Sequence, residues 1–461
     1  MTGSQAAFGG VLPPAWVADA VFYAIVPDRF RKADSDWPIG SDSVVASPDR
    51  CGGDLRGVIE ALDTLSELGV NALYLTPIFT ARSYHRYDTV DYFTVDPGLG
   101  GNAALARLIS AAHERRMRLL LDGVFNHCGD AHPFFLDARR NGQRSPYWDW
   151  FTINGPQIVQ SPTPNYACWA GVPGLPEWNH RHPPVVEHLV SVARHWIREA
   201  DIDGWRLDAV DYLPVEVVTA IRRAAKQENP DAYVLGEVMG TATSWFKSDA
   251  LDGVMHYRLR DGIVHLFASR DWDAPRFAAY ARHLLGSYPP ANTAACYTLL
   301  GSHDKPRFLT LCHGDVRRLL LATAFLFAHP GAPALYYGDE IGMRGGEDPD
   351  CRRPFPWDRG RWNLDLREAV RRLVALRRRE PGLRRGSIDL SAPSRHLLTV
   401  DRRLNGDELL AVFNLSENDA HLDRSGQWSD LLAPATEEET GISVPGMGYR
   451  FMKRVASRSS S

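Results

Sequence analysis

Three acids stand at the ends of apolar runs: Asp208 in GWRLDAV, Glu237 in YVLGEV and Asp304 in LLGSHD. Arg206 precedes Asp208 by two positions, His127 closes MRLLLDGVFNH, and His303 adjoins Asp304. Charged groups rarely occupy such runs without a partner or a task. Two carboxyls flanking one bond, one ionised and one protonated, are the minimum set for hydrolysing a glycoside. Closeness raises the pKa of one carboxyl, while a cation beside the other keeps that one ionised. In a strand, positions i and i+2 share a face, so Arg206 emerges beside Asp208 and can hold it charged as a nucleophile. Glu237 lies among Tyr233, Val234, Leu235 and Val238, surroundings that suit an acid of raised pKa. Histidines at two run ends also raise the question of a metal site. No HxH or HxxxH pair lies near them, however, and hydrogen bonding to hydroxyls is the simpler task.

The elements that must position these groups are legible as eight apolar runs, at 21–30, 70–78, 117–127, 203–210, 232–238, 252–257, 297–304 and 333–340. Amphipathic helical patterns such as LRGVIEALDTLSELG, ALARLISAAHERR and VVEHLVSVARHWIREA lie between them. Alternation of this kind predicts parallel βα units. Eight of them fit an α/β fold of the TIM (β/α)8 barrel type better than an open sheet of five or six strands. The acids then fall at the C-terminal ends of the fourth, fifth and seventh strands, where barrel enzymes keep their chemistry.

One interval is irregular: roughly 75 residues separate the third strand from the fourth, and a helix over 185–200 takes only part of it. Residues 128–180 are rich in proline, glycine and aromatics and predict a small domain B overhanging the barrel mouth. The barrel is expected over 1–127 and 181–384. From 385 to 456 short alternating runs (HLLTVDRRL, DELLAVFNLS, GISVPGMGYRFMKRV) predict an antiparallel β-sandwich domain, with 457–461 as a disordered tail.

Bulk properties exclude several classes of partner. The 461 residues carry a net charge of −4, with 44% hydrophobic and 23% charged residues. Nothing in this balance favours nucleic acid or an anionic membrane. The basic run REAVRRLVALRRREPGLRR reads as an amphipathic helix with a solvated cationic face rather than an anion site. Cysteines at 51, 128, 168, 296, 312 and 351 form no CxxC pair, which argues against a disulfide framework or zinc site and for a reducing cytoplasm. MTGSQAAFGGVLPPAW lacks the pattern of a signal peptide, and no apolar stretch is long enough to span a bilayer.

The segments DGVFNH, GWRLDAV, GEV and SHD, in this order and spacing, resemble the four short conserved regions of the α-amylase family (glycoside hydrolase family 13). The resemblance implies that Asp208 is the nucleophile, Glu237 the general acid/base and Asp304 the transition-state stabiliser. It also implies that Arg206 orients the nucleophile and that His127 and His303 bind the sugar at subsite −1, supported by Asp122. Tyr87 in SYHRYDTVDY would stack on that sugar, with His85 beside it. VFYAIVPDRF, WIREADIDGWRLD, LLGSHDKPRFLTLC and PALYYGDEIGMRGGEDPDCRRPFPWD are most similar to the cyclomaltodextrinase, neopullulanase and maltogenic amylase group. That likeness implies retaining cleavage of α-1,4-glucosidic bonds in maltooligosaccharides, cyclodextrins and starch, giving mainly maltose and glucose. An α-glucosidase-like or transglycosylating enzyme on short α-glucans is the alternative. A non-catalytic glucan-binding chain would typically have lost the carboxylates, and all three are present.

Four departures from that group bear on specificity. Its members carry an N-terminal β domain that builds a dimer, whereas the first strand here begins near Val21, so a monomer is expected. Asp211 and Tyr212 stand where the group has an asparagine–glutamate pair linked to transglycosylation. Met239 replaces a tryptophan two residues after the acid/base, so all three are expected to touch substrate. A calcium loop after the first strand is reduced to RKADSDWP, leaving Asp34 and the later Gly53-Asp54. Structural calcium is left open, and the retaining mechanism requires no cofactor. In domain B, Tyr147, Trp148, Trp150, Tyr166, Trp169 and Trp178 are of a type that can stack on glucose rings, but packing within the small subdomain is the favoured role for each, and Asn179 in GLPEWN reads as structural.

Overall fold

All eight apolar runs form strands in the computed structural model, which describes residues 12–33, 50–433 and 439–455. They are β1 (Phe22–Ile25), β2 (Ala72–Leu75), β3 (Arg118–Gly123), β4 (Gly204–Leu207), β5 (Tyr233–Gly236), β6 (Gly253–Val254), β7 (Tyr297–Leu299) and β8 (Ala332–Tyr336). Their order is β6-β5-β4-β3-β2-β1-β8-β7, with every pairing parallel. The ring closes between β6 and β7 through a parallel bridge from Met255 to Tyr297, and the His256 N–H donates to the Tyr297 carbonyl at 2.9 Å. The expected TIM barrel is therefore the one that forms. Strands β1, β2, β4 and β5 are buried along their whole length. A parallel strand covered on both faces has no polar side to alternate with, hence the continuous apolar runs in the sequence.

Outer helices follow from local signals. Helix α1 (Leu55–Leu68) starts at Asp54, whose carboxylate accepts the Gly57 N–H at 2.7 Å, and ends at Gly69 in a left-handed conformation, φ 92°. The outer layer also contains helices α2 (Gly101–Glu114), α3 (Pro183–Ala200), α4 (Val215–Glu228), α5 (Val316–Ala328) and α6 (Leu364–Arg379). In α6 the apolar positions Val370, Leu373, Val374 and Leu376 are buried as expected. The cationic face is not wholly solvated, however. Arg377 is buried and donates to the carbonyls of Phe327, His329 and Leu383 at 3.1, 3.3 and 3.2 Å. A cation placed at the C-terminal end of α5 neutralises carbonyls that the helix leaves unpaired.

Between β3 and α3 the chain forms helix Pro133–Asn141 and isolated bridges at Phe151–Trp178, Ile153–Tyr166 and Cys168–Pro176. Most of its aromatics pack on one another, as expected. Tyr147 stacks on Phe134 with ring centres 4.0 Å apart, Trp150 meets the same ring edge-on at 4.8 Å, and Trp178 stacks on Phe151 at 5.2 Å. The Asn179 amide donates to the Asp149 carbonyl at 2.8 Å, the structural role read from GLPEWN.

The C-terminal unit contains β9 (Ser387–Ser391), β10 (Leu397–Leu404), β11 (Asp407–Asn414), β12 (Ala420–Asp430), β13 (Glu439–Val444) and β14 (Tyr449–Arg454). They pair antiparallel in one continuous six-stranded sheet ordered β9-β10-β11-β14-β12-β13. Strand β11 alternates its faces. Leu409, Ala411 and Phe413 join the core shared with the barrel, while Leu410 and Val412 pack with Leu422, Trp428, Ile442 and Val444 in a separate core. Residues 457–461, read as a tail, lie outside the described residues. Among the described residues no helix is long and apolar enough to cross a membrane.

Candidate active site

The ends of β3, β4 and β5 bring three carboxyls to one guanidinium. Register places Asp122 directly beside Arg206, and Asp208 and Glu237 follow the last residues of β4 and β5. Fully buried Arg206 donates from Nη1 to Asp122 Oδ1 at 2.9 Å and to Asp208 Oδ1 at 2.8 Å. Its Nη2 lies 2.7 Å from Glu237 Oε1, an ion pair by distance rather than an aligned hydrogen bond. The expected Arg206–Asp208 pair is thus one arm of a cluster that also takes in Asp122 and Glu237. Asp122 in turn accepts the hydroxyls of Tyr74 and Tyr87 at 2.5 and 3.1 Å.

The turn after Asp208 is strained. Ala209 takes a left-handed conformation, φ 48° and ψ 40°, uncommon for a residue with a side chain. Its N–H then donates to Glu237 Oε2 at 3.0 Å. Two residues further on, Asp211 Oδ2 accepts the Met239 N–H at 2.9 Å.

Asp304 is held differently. Its Oδ2 lies 3.0 Å from His303 Nε2, and its Oδ1 accepts from Arg352 Nη2 at 3.2 Å. Arg352 also donates from Nε to the His303 carbonyl at 2.7 Å and pairs with Asp348 at 3.1 Å. The sequence reading did not single out Asp348 and Arg352 as site residues. Their one signal was the D-x-x-x-R spacing in the run after β8.

These groups surround a cavity of about 440 Å³. Of the residues expected from sequence, His85, Tyr87, His127, Asp208, Asp211, Tyr212, Glu237, Met239 and Asp304 line it, and Arg206, Asp122 and His303 sit behind that wall. Trp169, Leu175, Asp348 and Arg352 are additions to the lining. Trp169 corrects the packing expectation for domain B, because its ring reaches the cavity 5.7 Å from that of His127. Tyr87 stacks at 5.6 Å on His303 besides lining the cavity. Tyr212 and Met239, 63% and 45% exposed, form an apolar rim.

Electrostatics divide the acids. Burial pushes the Asp208 and Glu237 carboxyls up, and Arg206 pulls both back. Each charge opposes the other, so the pair behaves as one unit that keeps a proton more readily than ordinary carboxyls do. Burial also acts on Asp304, but His303, Arg206 and Arg352 outweigh it and hold that carboxyl well below the usual range. Burial lowers His127 to about 3 and His85 to about 4, so both rings are neutral at neutral pH. His127 Nε2 is buried without a hydrogen-bond partner among the described residues, an orphan atom suited to a sugar hydroxyl.

No group of three or more His, Cys, Asp or Glu placed to hold a metal occurs among the described residues. The described acids beside the loop after β1 have partners within the protein. Asp54 caps α1, and Asp28 accepts the Cys51 and Gly52 N–H groups at 2.9 and 3.2 Å beside Arg29. Asp34 lies outside the described residues.

Comparison with known proteins agrees with this geometry. Residues 24–369 match the family model for the α-amylase catalytic domain. A cyclomaltodextrinase of Geobacillus thermopakistaniensis strain MAS1 is 42% identical over 455 residues, spanning 95% of this chain and 77% of the relative. An intracellular maltogenic amylase of Bacillus subtilis strain 168 is 40% identical over 374 residues, 80% of this chain and 63% of the relative. Among solved structures, the cyclic α-maltosyl-(1→6)-maltose hydrolase of Arthrobacter globiformis superposes with a TM-score of 0.90 at 36% identity, covering 96% of this chain and 100% of that one.

Proposed function

The chain belongs to the α-amylase family of glycoside hydrolases, and from that premise we propose that it cleaves α-1,4-glucosidic bonds of maltooligosaccharides, cyclodextrins and starch with retention of configuration. The main products on this reading are maltose and glucose. One observation carries it: Asp208 and Glu237 face the same cavity from neighbouring strands, tied to adjacent nitrogens of one guanidinium. Closeness of that kind suits direct attack by the second carboxylate, whereas inversion needs room for a water between substrate and base. Relatives named cyclomaltodextrinase and maltogenic amylase, and a neighbour named for a cyclic maltose dimer, support the substrate class.

Asp208 attacks the anomeric carbon while Glu237 gives its proton to the leaving oxygen. The glycosyl–Asp208 ester is then hydrolysed by a water that Glu237 deprotonates. Asp304, anionic throughout, faces the positive charge that develops on the ring. The neutral His85 and His127 rings bind the sugar hydroxyls, and the Tyr87 ring, whose hydroxyl is already held by Asp122, stacks on the sugar. The acid, base and nucleophile are side chains of this protein, so the retaining chemistry requires no cofactor. The enzyme works as a cytoplasmic monomer on this reading, and its six cysteines, all free thiols, suit a reducing compartment. A second reading, transfer to a sugar acceptor, is favoured by the exposed Tyr212 and Met239 surfaces. Products from maltotriose and β-cyclodextrin separate the two readings.

Glu237→Gln is expected to lower maltotriose hydrolysis by about 10³-fold while the protein stays folded by circular dichroism. Proton NMR of the wild-type digest should show the α-anomer first. Near-normal activity in the variant would sink the acid/base assignment, and a β-anomer would sink retention.

A further inference from the structure

The backbone N–H groups of the loop carrying the acid/base are attached to the fold at few points, although Arg258 donates to the Thr241 hydroxyl at 2.8 Å. After Glu237, whose own N–H donates to the Leu207 carbonyl at 3.0 Å, the chain runs exposed from Met239 to Thr241. The next backbone anchor is the Ala242 N–H on the Tyr288 hydroxyl at 3.2 Å. Between these points, among the described residues, the backbone N–H groups make a single hydrogen bond, from Met239 to Asp211 Oδ2 at 2.9 Å. Gly240, at the middle of the exposed stretch, has open space where a side chain would stand.

That bond has a counterpart in the opposite direction. The Ala209 N–H donates to the Glu237 side chain at 3.0 Å, and the Met239 N–H donates to the Asp211 side chain. Residues 209 and 211 follow the nucleophile, and 237 and 239 carry the acid/base, so two crossed hydrogen bonds lace the exit loops of β4 and β5. Ala209 pays for its half with a left-handed backbone, a conformation that persists only where the surroundings hold it.

We infer that Asp211 is a positioning residue that holds the acid/base loop against the nucleophile turn, so that Glu237 faces the scissile oxygen. This differs from the substrate contact expected from sequence, and it rests on the reading of Glu237 as acid/base. Asp211 acts by accepting one hydrogen bond, so an amide oxygen serves and a methyl group does not. Its loss matters most when the leaving group needs a proton. α-Maltosyl fluoride, whose fluoride departs with little protonation, provides the contrast.

The test measures kcat and KM for Asp211→Ala and Asp211→Asn on maltotriose and on α-maltosyl fluoride. Asp211→Ala is expected to lower kcat on maltotriose by about 10- to 100-fold with KM within about threefold. On the fluoride kcat/KM should fall less than about threefold, because the first step no longer depends on the acid. Asp211→Asn should stay within about threefold on both substrates. Equal losses on the two substrates, a change confined to KM, or an asparagine as damaging as alanine would overturn the inference. Glu237→Gln, run alongside, separates the two claims. If it also fails to spare the fluoride in kcat/KM, the acid/base reading itself is at fault.

Discussion

The two sides of the bowl hold the same kind of side chain by opposite means. On the β4–β5 side, Asp122, Asp208 and Glu237 converge on the single Arg206, and every group is nearly closed to water. On the β7 side, Asp304 lies between His303 and Arg352, with 32% of its side chain exposed to the cavity. Three carboxyls on one cation leave a surplus of negative charge, which a proton relieves. Asp304 shares Arg352 with Asp348 but has His303 as well, and two such partners leave it no need of a proton. The difference teaches how one bowl supplies a movable proton and a permanent anion: the ratio of carboxyls to cations decides, not the residue type.

The largest effect is expected where that ratio is most extreme. Arg206→Leu leaves three buried carboxyls without their cation, and removing one partner of a buried pair costs about 3–5 kcal/mol. Activity should fall below detection, with a large drop in thermal midpoint. Arg206→Lys keeps the charge but not the two-armed reach, so it should fold and lose about 10²- to 10³-fold in kcat. Maltotriose kinetics and calorimetry on both variants check this. Near-normal kcat in Arg206→Lys would show that the shared guanidinium is not what orders the pair.

A subtler contrast lies in stability. Asp208 is raised by burial, so its cost to the fold is absent at low pH, appears above the ordinary carboxyl range near 4, grows until pH reaches the raised value and is constant above it. Asp304 is lowered, so its contribution is present above that range and is lost as pH falls toward its folded value. At pH 7, Asp208→Asn should therefore raise the melting temperature by about 1–3 °C, at the expense of activity. Asp304→Asn should lower it by about 1 °C, less because the cavity already screens that group. Differential scanning calorimetry reads both, and shifts of the same sign would break the comparison.

The sequence revealed these two sides unequally. Arg206 beside Asp208 was legible because a strand repeats every two residues. Its ion pairs with Asp122 and Glu237 were not, since they depend on register between neighbouring strands. All eight barrel strands were legible as continuous apolar runs, but β9 and β12 were not. Strand β12 buries only Leu422 and Trp428, reads AHLDRSGQWSD, and contains Gly426 at φ 97°. Trp169 was indistinguishable from its packed neighbours because an irregular segment has no period to say which ring faces the cavity. Arg352 reaches Asp304 from 48 residues away, through a loop whose path no local pattern encodes.

The smallest expected effect tests whether the two sides are independent. Arg352 bonds Asp304, the His303 carbonyl and the Tyr84 hydroxyl from one planar fork, at 3.2, 2.7 and 3.2 Å. Lysine keeps the charge but can serve only part of that set, so Arg352→Lys should lower kcat at pH 7 by about three- to tenfold. It should also weaken the hold on Asp304, whose carboxyl then rises toward the ordinary value near 4. Activity at pH 4.5 should consequently fall further than at pH 7. The alkaline limb of kcat/KM belongs to the proton on the Asp208–Glu237 pair, and it should stay where it is in the wild type. Asp304 is one of the charges that raise Glu237, but it remains ionised in the variant throughout that limb, so its influence there does not change. A shifted alkaline limb would mean that Arg352 also governs the proton-carrying pair, and the two sides would then have to be treated as one network.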